Sequence, residues 1–196
     1  MRLAAIDIGS NAARLLISDV YLDSPYAKPE FIKTNLVRVP LRLGFDVFDK
    51  GEITPARAEK VVKTIKSYKL LMDVYDVKHV KACATSAMRD AANGQAIIDR
   101  VKAETGVEIS IITGQEEASF IYENHVAENM TTDESYLYID VGGGSTELTF
   151  FSDSKLIFKE SFNIGTIRLL KNQVMEKQWD VTVSYTHLTL PTTERV

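Results

Sequence analysis

The sequence IDVGGGSTE occupies residues 139–147, and the shorter sequence IDIGSN occupies residues 6–11. In each stretch an apolar run reaches an aspartate and continues into a glycine turn with a hydroxyl side chain. Because glycine has no Cβ atom, the backbone N–H groups of such a turn can converge on a phosphate. Two matching turns predict two related halves that face each other across a cleft.

Outward from these turns, the chain alternates strands and helices. A threonine with a capping hydroxyl, Thr54, precedes Pro55 and predicts a helix start. Further helices are expected over residues 85–93, 95–105 (closed by Gly106) and 114–129. Strands are expected over residues 3–8, 14–20, 31–41, 77–84, 107–112, 136–141, 147–151 and 155–162, the last two joined by a turn at 152–154. This order predicts a mixed α/β fold.

Length and composition set the broad class. The 196 residues are enough for one domain, expected over residues 1–128, and part of a second, expected over residues 129–180. A net charge of -4 argues against a DNA partner, because DNA-binding proteins usually carry a basic face. No apolar run approaches the ~20 residues of a membrane span, so we expect no membrane partner and a cytoplasmic location. The single cysteine, Cys83, is expected to be a buried apolar residue in a reducing compartment.

The two glycine turns carry the candidate phosphate-binding side chains. Ser10, Asn11, Ser145 and Thr146 add side-chain donors beside the backbone N–H groups. Aspartates at both strand ends could hold a hydrated Mg²⁺ ion, which prefers carboxylates, phosphate and water. The alternative is a pair of ordinary hairpin turns, which the repetition of the whole pattern disfavours.

The carboxylates are ambiguous from spacing alone. Glu116 and Glu117 lie at a predicted helix start, where negative charge complements the helix dipole. Hydrolysis of a phosphoanhydride instead needs a carboxylate beside the attacking water. Glu147 has the same two interpretations, as a solvent-facing strand residue or as a second base and metal support.

Arginines offer candidate anion sites. Arg89 lies at the junction of a strand and a helix, a natural place for anion binding, although a surface charge is the alternative. Arg14 and Arg168 are interpreted mainly as surface charges.

Five segments together resemble the exopolyphosphatase/guanosine pentaphosphate phosphohydrolase (Ppx/GppA) family. Residues 3–11 and 140–147 resemble its two phosphate loops. Residues 84–94 (ATSAMRDAANG), 113–118 (TGQEEA) and 165–169 (GTIRL) resemble further family segments in the same order. The resemblance covers roughly residues 3–180. Each segment alone is weakly specific, and their combined order and spacing carry the resemblance.

The resemblance implies a fold and a reaction. The fold would be that of the actin-like ATPases (ASKHA, ribonuclease H-like), with the first domain complete and the second partial. The reaction would be Mg²⁺-dependent hydrolysis of a terminal phosphoanhydride in inorganic polyphosphate or guanosine pentaphosphate, the latter linked to the stringent response. A full-length member could form a homodimer. An actin-like ATPase or sugar kinase and a non-catalytic polyphosphate or alarmone binder are the alternatives.

The resemblance also assigns roles by position. Glu117 would be the general base, with Asp140 and Glu147 supporting water or metal. Substrate phosphates would be held by Asp7, Ser10, Asn11, Arg89, Gly143, Gly144, Ser145 and Thr146. Residues 183–192 instead resemble a translated sequencing-library adapter, so residues 181–196 are expected to be a non-native tail.

Overall fold

The computed structural model contains two β-sheets. It describes residues 1–22, 29–117, 119–120, 134–152 and 155–171. The strands are β1 (Arg2–Ile8), β2 (Ala13–Tyr21), β3 (Glu30–Val39), β4 (His79–Ala84), β5 (Ser110–Ile111), β6 (Ser135–Val141), β7 (Thr146–Ser152) and β8 (Lys155–Phe162). The helices are α1 (Gly44–Lys50), α2 (Pro55–Val74), α3 (Ser86–Asp90), α4 (Gly94–Thr105), α5 (114–117 and 119–120) and α6 (Thr166–Leu170). Residues 153–154 of the predicted turn at 152–154, residues 121–133 and the tail lie outside the described residues.

The first sheet has five strands in the order β3-β2-β1-β4-β5. β1 pairs antiparallel with β2 and parallel with β4. One face of this sheet forms the main core, because alternate residues of each strand point the same way. Its buried strand residues include Ile6, Ile8, Leu15 and Ile17, each 2% exposed or less. The second sheet is antiparallel, in the order β6-β7-β8.

Helix α2 packs on the first sheet through the apolar stripe that its sequence spacing predicts. At the centre of this stripe Tyr68 is 1% exposed. Its hydroxyl donates to the Ala13 carbonyl at 3.0 Å and lies 3.3 Å from the Val37 carbonyl. Burial raises the pKa of Tyr68 to about 12, so the phenol stays protonated and keeps this link between helix and sheet.

Helix ends follow the sequence in one case and depart from it in another. Gly106 has φ 72 and ends α4, as predicted, since glycine adopts left-handed backbone without a Cβ penalty. The predicted capping by Thr54 is wrong. Its hydroxyl donates to Asp46 Oδ2 at 2.6 Å, and Asp46 also pairs with Arg57 at 2.8 Å. A tertiary acceptor has therefore replaced the local one.

Two further departures concern element length. The predicted strand 107–112 forms a ladder only at Ser110–Ile111, which pair with Cys83 and Ala84 of β4. Val107 and Ile109 are still buried, so the apolar pattern reports core packing and not strand pairing. The short helices α1 and α6 were not anticipated by the periodicity, since five to seven residues carry too little of a helical repeat.

The outer face of the second sheet retains exposed apolar side chains. On β6, Leu137 is 44% exposed, Ile139 58% and Val141 56%. These three side chains therefore form an apolar surface on this strand. Among the described residues, no helix is long and apolar enough to cross a membrane.

Candidate active site

The two glycine turns belong to two hairpins with the same register. In the first hairpin Asp7 pairs across the strands with Arg14, and in the second Asp140 pairs with Glu147. Directly paired residues of an antiparallel ladder project from the same face. The repeat seen in the sequence is therefore a repeat of structure, with one difference: an Asp–Arg pair in one half and an Asp–Glu pair in the other.

The two turns meet at close range. Ser10 Oγ lies 2.8 Å from Ser86 Oγ, and both side chains are buried. A Cβ atom on Gly144 would lie 2.2 Å from Ser86 Oγ and 2.8 Å from Ser10 Oγ. A side chain at position 144 would therefore collide with the first half, which explains why the second turn approaches so closely only with glycine there.

Between the turns lies a polar cavity of about 200 Å³. It is lined by Asp7, Gly9, Ser10, Asn11, Ala12, Arg14, Arg38, Thr85, Ser86, Glu117, Asp140, Val141, Gly142, Gly143, Gly144, Ser145, Glu147 and Thr166. Nine of the eleven residues that the sequence singled out lie in this lining, Arg89 and Thr146 being the others. The tertiary fold thus gathers residues that are up to 159 positions apart in the sequence (Asp7 and Thr166) into one site.

The structure separates the two adjacent carboxylates of α5. Glu116 accepts the Thr113 backbone N–H at 2.7 Å, and the Thr113 hydroxyl accepts the Glu116 N–H at 3.1 Å. This reciprocal pair is a capping box, and its hydrogen bonds lower the pKa of Glu116. Glu117 instead lines the cavity. Helix capping and the cavity therefore use different carboxylates.

Glu117 has the strongest electrostatic perturbation in the cavity. Burial, and then the nearby charge of Glu147, raise its pKa from 4.5 to about 8. Its Oε2 atom is buried and has no hydrogen-bond partner within the part of the chain that the structure describes. A carboxyl oxygen with a pKa near neutrality and no protein partner is suited to accept a proton from water.

Two further cavity carboxylates are also perturbed. Burial raises the pKa of Glu147, which is 3% exposed, although Ser161 Oγ donates to its Oε1 at 2.8 Å. Burial raises the pKa of Asp7, and Arg14 at 3.2 Å opposes this shift. The cavity therefore concentrates negative charge that a cation would stabilise.

The pH dependence of the protein's stability should reveal the raised pKa of Glu117. Because the folded pKa exceeds the ordinary value, the folded chain binds more protons than the unfolded chain between pH 4.5 and about 8. Stability therefore falls as pH rises through this window. We expect Glu117→Gln to raise Tm at pH 8 and to leave it unchanged near pH 4.5. Each kcal/mol of relief corresponds to about 2–4 °C.

The measurement is a series of thermal melts from pH 4.5 to 8.5 in EDTA. Since Asp7 and Glu147 are present in both proteins, the difference between them isolates Glu117. A difference in Tm that is constant across pH would contradict the raised pKa.

Two of the predicted phosphate-binding residues, Arg89 and Thr146, lie outside the cavity lining. Arg89 Nη1 donates to the Ile112 carbonyl at 2.7 Å, so its guanidinium ties α3 to the chain after β5. Its charge still acts on the site, since it lowers the pKa of Glu117 against the other influences. The Thr146 hydroxyl donates to the Ile164 carbonyl. Phosphate contact by these two side chains stays a prediction.

Other lining residues were missed from the sequence. Arg38 lies directly opposite Arg14 on the neighbouring strand, a register that no local pattern reveals. Thr85 and Ser86 precede and begin α3, and a hydroxyl pair at a strand–helix junction was the available signal. The interpretation of Arg168 as a surface charge is wrong, since its side chain is only 12% exposed.

No group of three His, Cys, Asp or Glu side chains in the described ranges converges closely enough to hold a metal ion alone. Asp140 and Glu147 nevertheless face each other across a strand pair beside the buried, unpaired Glu117 oxygen. Two carboxylates fit Mg²⁺, which usually takes one or two protein carboxylates and completes its shell with phosphate and water.

The fold and the site together place this protein in a general class: α/β proteins with two facing halves and an acidic, glycine-rich cleft between them. Comparison with known proteins makes it specific. Residues 33–182 match the model of the Ppx/GppA phosphatase family. The chain belongs to this family.

The sequences of curated relatives match most of this chain. Exopolyphosphatase 1 of Mycobacterium tuberculosis is 30% identical over 171 residues, covering 87% of this chain and 48% of the relative. A bifunctional 3-dehydroquinate synthase/phosphatase of Fusobacterium nucleatum is 33% identical, covering 85% of this chain and 25% of the relative. The chain thus spans about half the length, or less, of these curated relatives.

Solved structures show the same fold. An exopolyphosphatase from Cytophaga hutchinsonii has a TM-score of 0.78 at 29% identity, covering 97% of this chain and 61% of that one. The Aquifex aeolicus Ppx/GppA family member has a TM-score of 0.73, also at 29% identity, covering 94% and 60%. A PilM–PilN type IV pilus complex, at 15% identity and a TM-score of 0.52, shares the fold alone. The fold is α/β, of the actin-like ATPase type.

Proposed function

We propose that this protein hydrolyses the terminal phosphoanhydride of a linear polyphosphate chain, with Glu117 as the general base. The observation that carries the proposal is the free, buried Oε2 of Glu117, on a carboxyl whose pKa is raised to about 8, in a cavity formed by two glycine loops. Relatives named exopolyphosphatase support polyphosphate as the substrate class.

The loops supply binding and orientation. Ser10 and Ser145 line the cavity from opposite halves, and their hydroxyls and the backbone N–H groups of the two turns would be the donors. They would hold the last phosphates in line with a water beside Glu117. As the P–O bond to the leaving phosphate breaks, Glu117 takes the proton of the attacking water. Phosphoryl transfer depends mainly on such positioning and charge stabilisation.

Magnesium is part of the proposal. Asp140 and Glu147 would hold Mg²⁺ together with substrate oxygens. Bound there, the ion would neutralise phosphate charge that otherwise repels the four cavity carboxylates.

Guanosine pentaphosphate is a second substrate candidate, because it also ends in a phosphoanhydride. The experiment is to measure phosphate release from tripolyphosphate, long-chain polyphosphate and guanosine pentaphosphate, each with and without Mg²⁺. Release from polyphosphate that requires Mg²⁺ supports the proposal. Binding of polyphosphate without release by the wild-type chain would contradict it.

Arg38 provides a prediction about chain length. Arg14 and Arg38 lie opposite each other at the cavity wall, where like charges in direct cross-strand register destabilise the free protein. A bound polyphosphate chain that extends out of the cavity past these two arginines would relieve the repulsion between them. We expect Arg38→Ala to raise KM for long polyphosphate about threefold to tenfold and to change KM for tripolyphosphate less.

The matched control is Lys33→Ala, a basic residue further along β3 that does not line the cavity. Equal effects of the Arg38 and Lys33 substitutions would indicate a general charge effect and would contradict a local contact.

A further inference from the structure

The second glycine loop is held from behind by the start of α6. Thr166 N donates to the Gly142 carbonyl at 3.0 Å, and Ile167 N donates to the Gly143 carbonyl at 2.9 Å. Arg168 Nε donates to the Gly144 carbonyl at 2.6 Å. Three consecutive carbonyls of the loop are therefore bound on one side by three consecutive residues.

Peptide geometry makes this arrangement directional. In a trans peptide the C=O and the following N–H point in opposite directions, and the described part of the chain contains no cis peptide. The N–H groups of Gly143, Gly144 and Ser145 must therefore point away from α6. Successive N–H groups on one side of a loop form an anion-binding concavity, and these three residues line the cavity.

The contact between α6 and the loop is unusually close. A Cβ atom on Gly165 would lie 2.5 Å from the backbone carbon and oxygen of Gly143. Backbone atoms cannot rotate away as a side chain can. The approach that places Thr166 N and Ile167 N on the loop carbonyls thus requires glycine at position 165.

Arg168 connects this assembly to the first half of the molecule. Besides Gly144, its guanidinium pairs with Asp90 at the end of α3. It also lies 4.0 Å above the ring of Phe48 in α1. A planar guanidinium with several fixed donors can serve a carbonyl and a carboxylate at once while stacking on an aromatic ring.

We propose that Arg168 is a positioning residue. It fixes the 142–145 loop against α1 and α3, so that the N–H groups of Gly143, Gly144 and Ser145 meet the terminal phosphate. The nature of that anion rests on the proposed function. The orientation of the loop rests on the contacts of Arg168 itself.

The experiment uses the full chain, with Mg²⁺ and tripolyphosphate as the probe. Calorimetry should show about tenfold weaker binding by Arg168→Ala. Arg168→Lys should recover part of the loss, because an ammonium keeps the pairing with Asp90 but lacks the planar fork. Arg100→Ala is the matched control, since Arg100 pairs with Glu59 and Glu104 and none of the three lines the cavity. It should bind as the wild type does.

Hydrogen exchange provides a reading that a merely structural role would not change. Tripolyphosphate should slow exchange of the amides of residues 143–145 in the wild type, and this protection should be lost in Arg168→Ala at a temperature well below the Tm of both proteins. If Arg168→Ala does not fold, Asp90→Asn replaces it. That variant removes the ionic partner and should weaken binding about twofold to threefold.

The outcomes separate the two proposals. Wild-type binding and protection that persist unchanged in the Arg168 and Asp90 variants would overturn the positioning role and leave the proposed function intact. No tripolyphosphate binding by the wild type would overturn both, whereas binding without phosphate release would overturn the hydrolase and leave the positioning role standing.

Discussion

Replacing Glu117 by glutamine is expected to lower the rate of phosphate release by about two to four orders of magnitude while the chain stays folded. Glutamine keeps the shape of the side chain and its place in the cavity, but it cannot accept a proton from water. The remaining rate would come from the loops and the metal, which position the substrate without this base. The measurement is steady-state phosphate release from tripolyphosphate, with circular dichroism to verify the fold.

The neighbouring carboxylate is the matched control. Glu116→Gln removes the same charge one position away, where the carboxylate caps α5 through Thr113. A capping carboxylate replaced by an amide is expected to cost little stability and to change the rate only a few-fold. Near-wild-type turnover by Glu117→Gln, or equal losses in both variants, would remove Glu117 from the base position.

The second large effect is expected at Gly144. Its substitution by alanine places a Cβ 2.7 Å from Cζ of Phe48, as well as against the two serine hydroxyls of the first half. The serines can rotate, but the Phe48 ring is 5% exposed within the core. We therefore expect the loop to move outward, tripolyphosphate binding to weaken at least about tenfold, and stability to fall by about 1–3 kcal/mol.

Gly142→Ala provides the comparison in the same loop. The added Cβ would meet the Ser145 carbonyl oxygen at 3.1 Å, a tight contact that small backbone movement relieves. Binding by this variant should fall less than binding by Gly144→Ala. If the two variants behave alike, or if Gly144→Ala binds normally, the close approach between the halves is not what shapes the site.

Local patterns predicted the parts of the structure whose partners are close in sequence. The α2 stripe, the Gly106 terminus and the hairpins on either side of each glycine turn are all determined by periodicity or by turn residues. The sequence marked the Thr54 hydroxyl as a hydrogen-bonding group at the helix start. It did not reveal the partner of that hydroxyl, because Asp46 from another element competes for it.

The candidate site divides in the same way. Acidic and glycine residues at strand ends were recognisable because their chemical type and spacing repeat at 7–9 and 140–144. The roles of Arg38, Ser86 and Arg168 were not recognisable, because each depends on a strand register or on packing between distant segments. Arg89 had the expected type and position in the sequence, yet its guanidinium is directed to the Ile112 carbonyl.

The sequence by itself determined the family, the α/β order and the two loops, since these follow from motifs a few residues long. Only the tertiary structure decided which carboxylate of the Glu116–Glu117 pair enters the cavity, and that an arginine near the described C-terminal end holds the second loop in place. The physical reason is that charge and hydrogen bonding act over a few ångströms. Separations that short between remote residues are set by how the two halves pack.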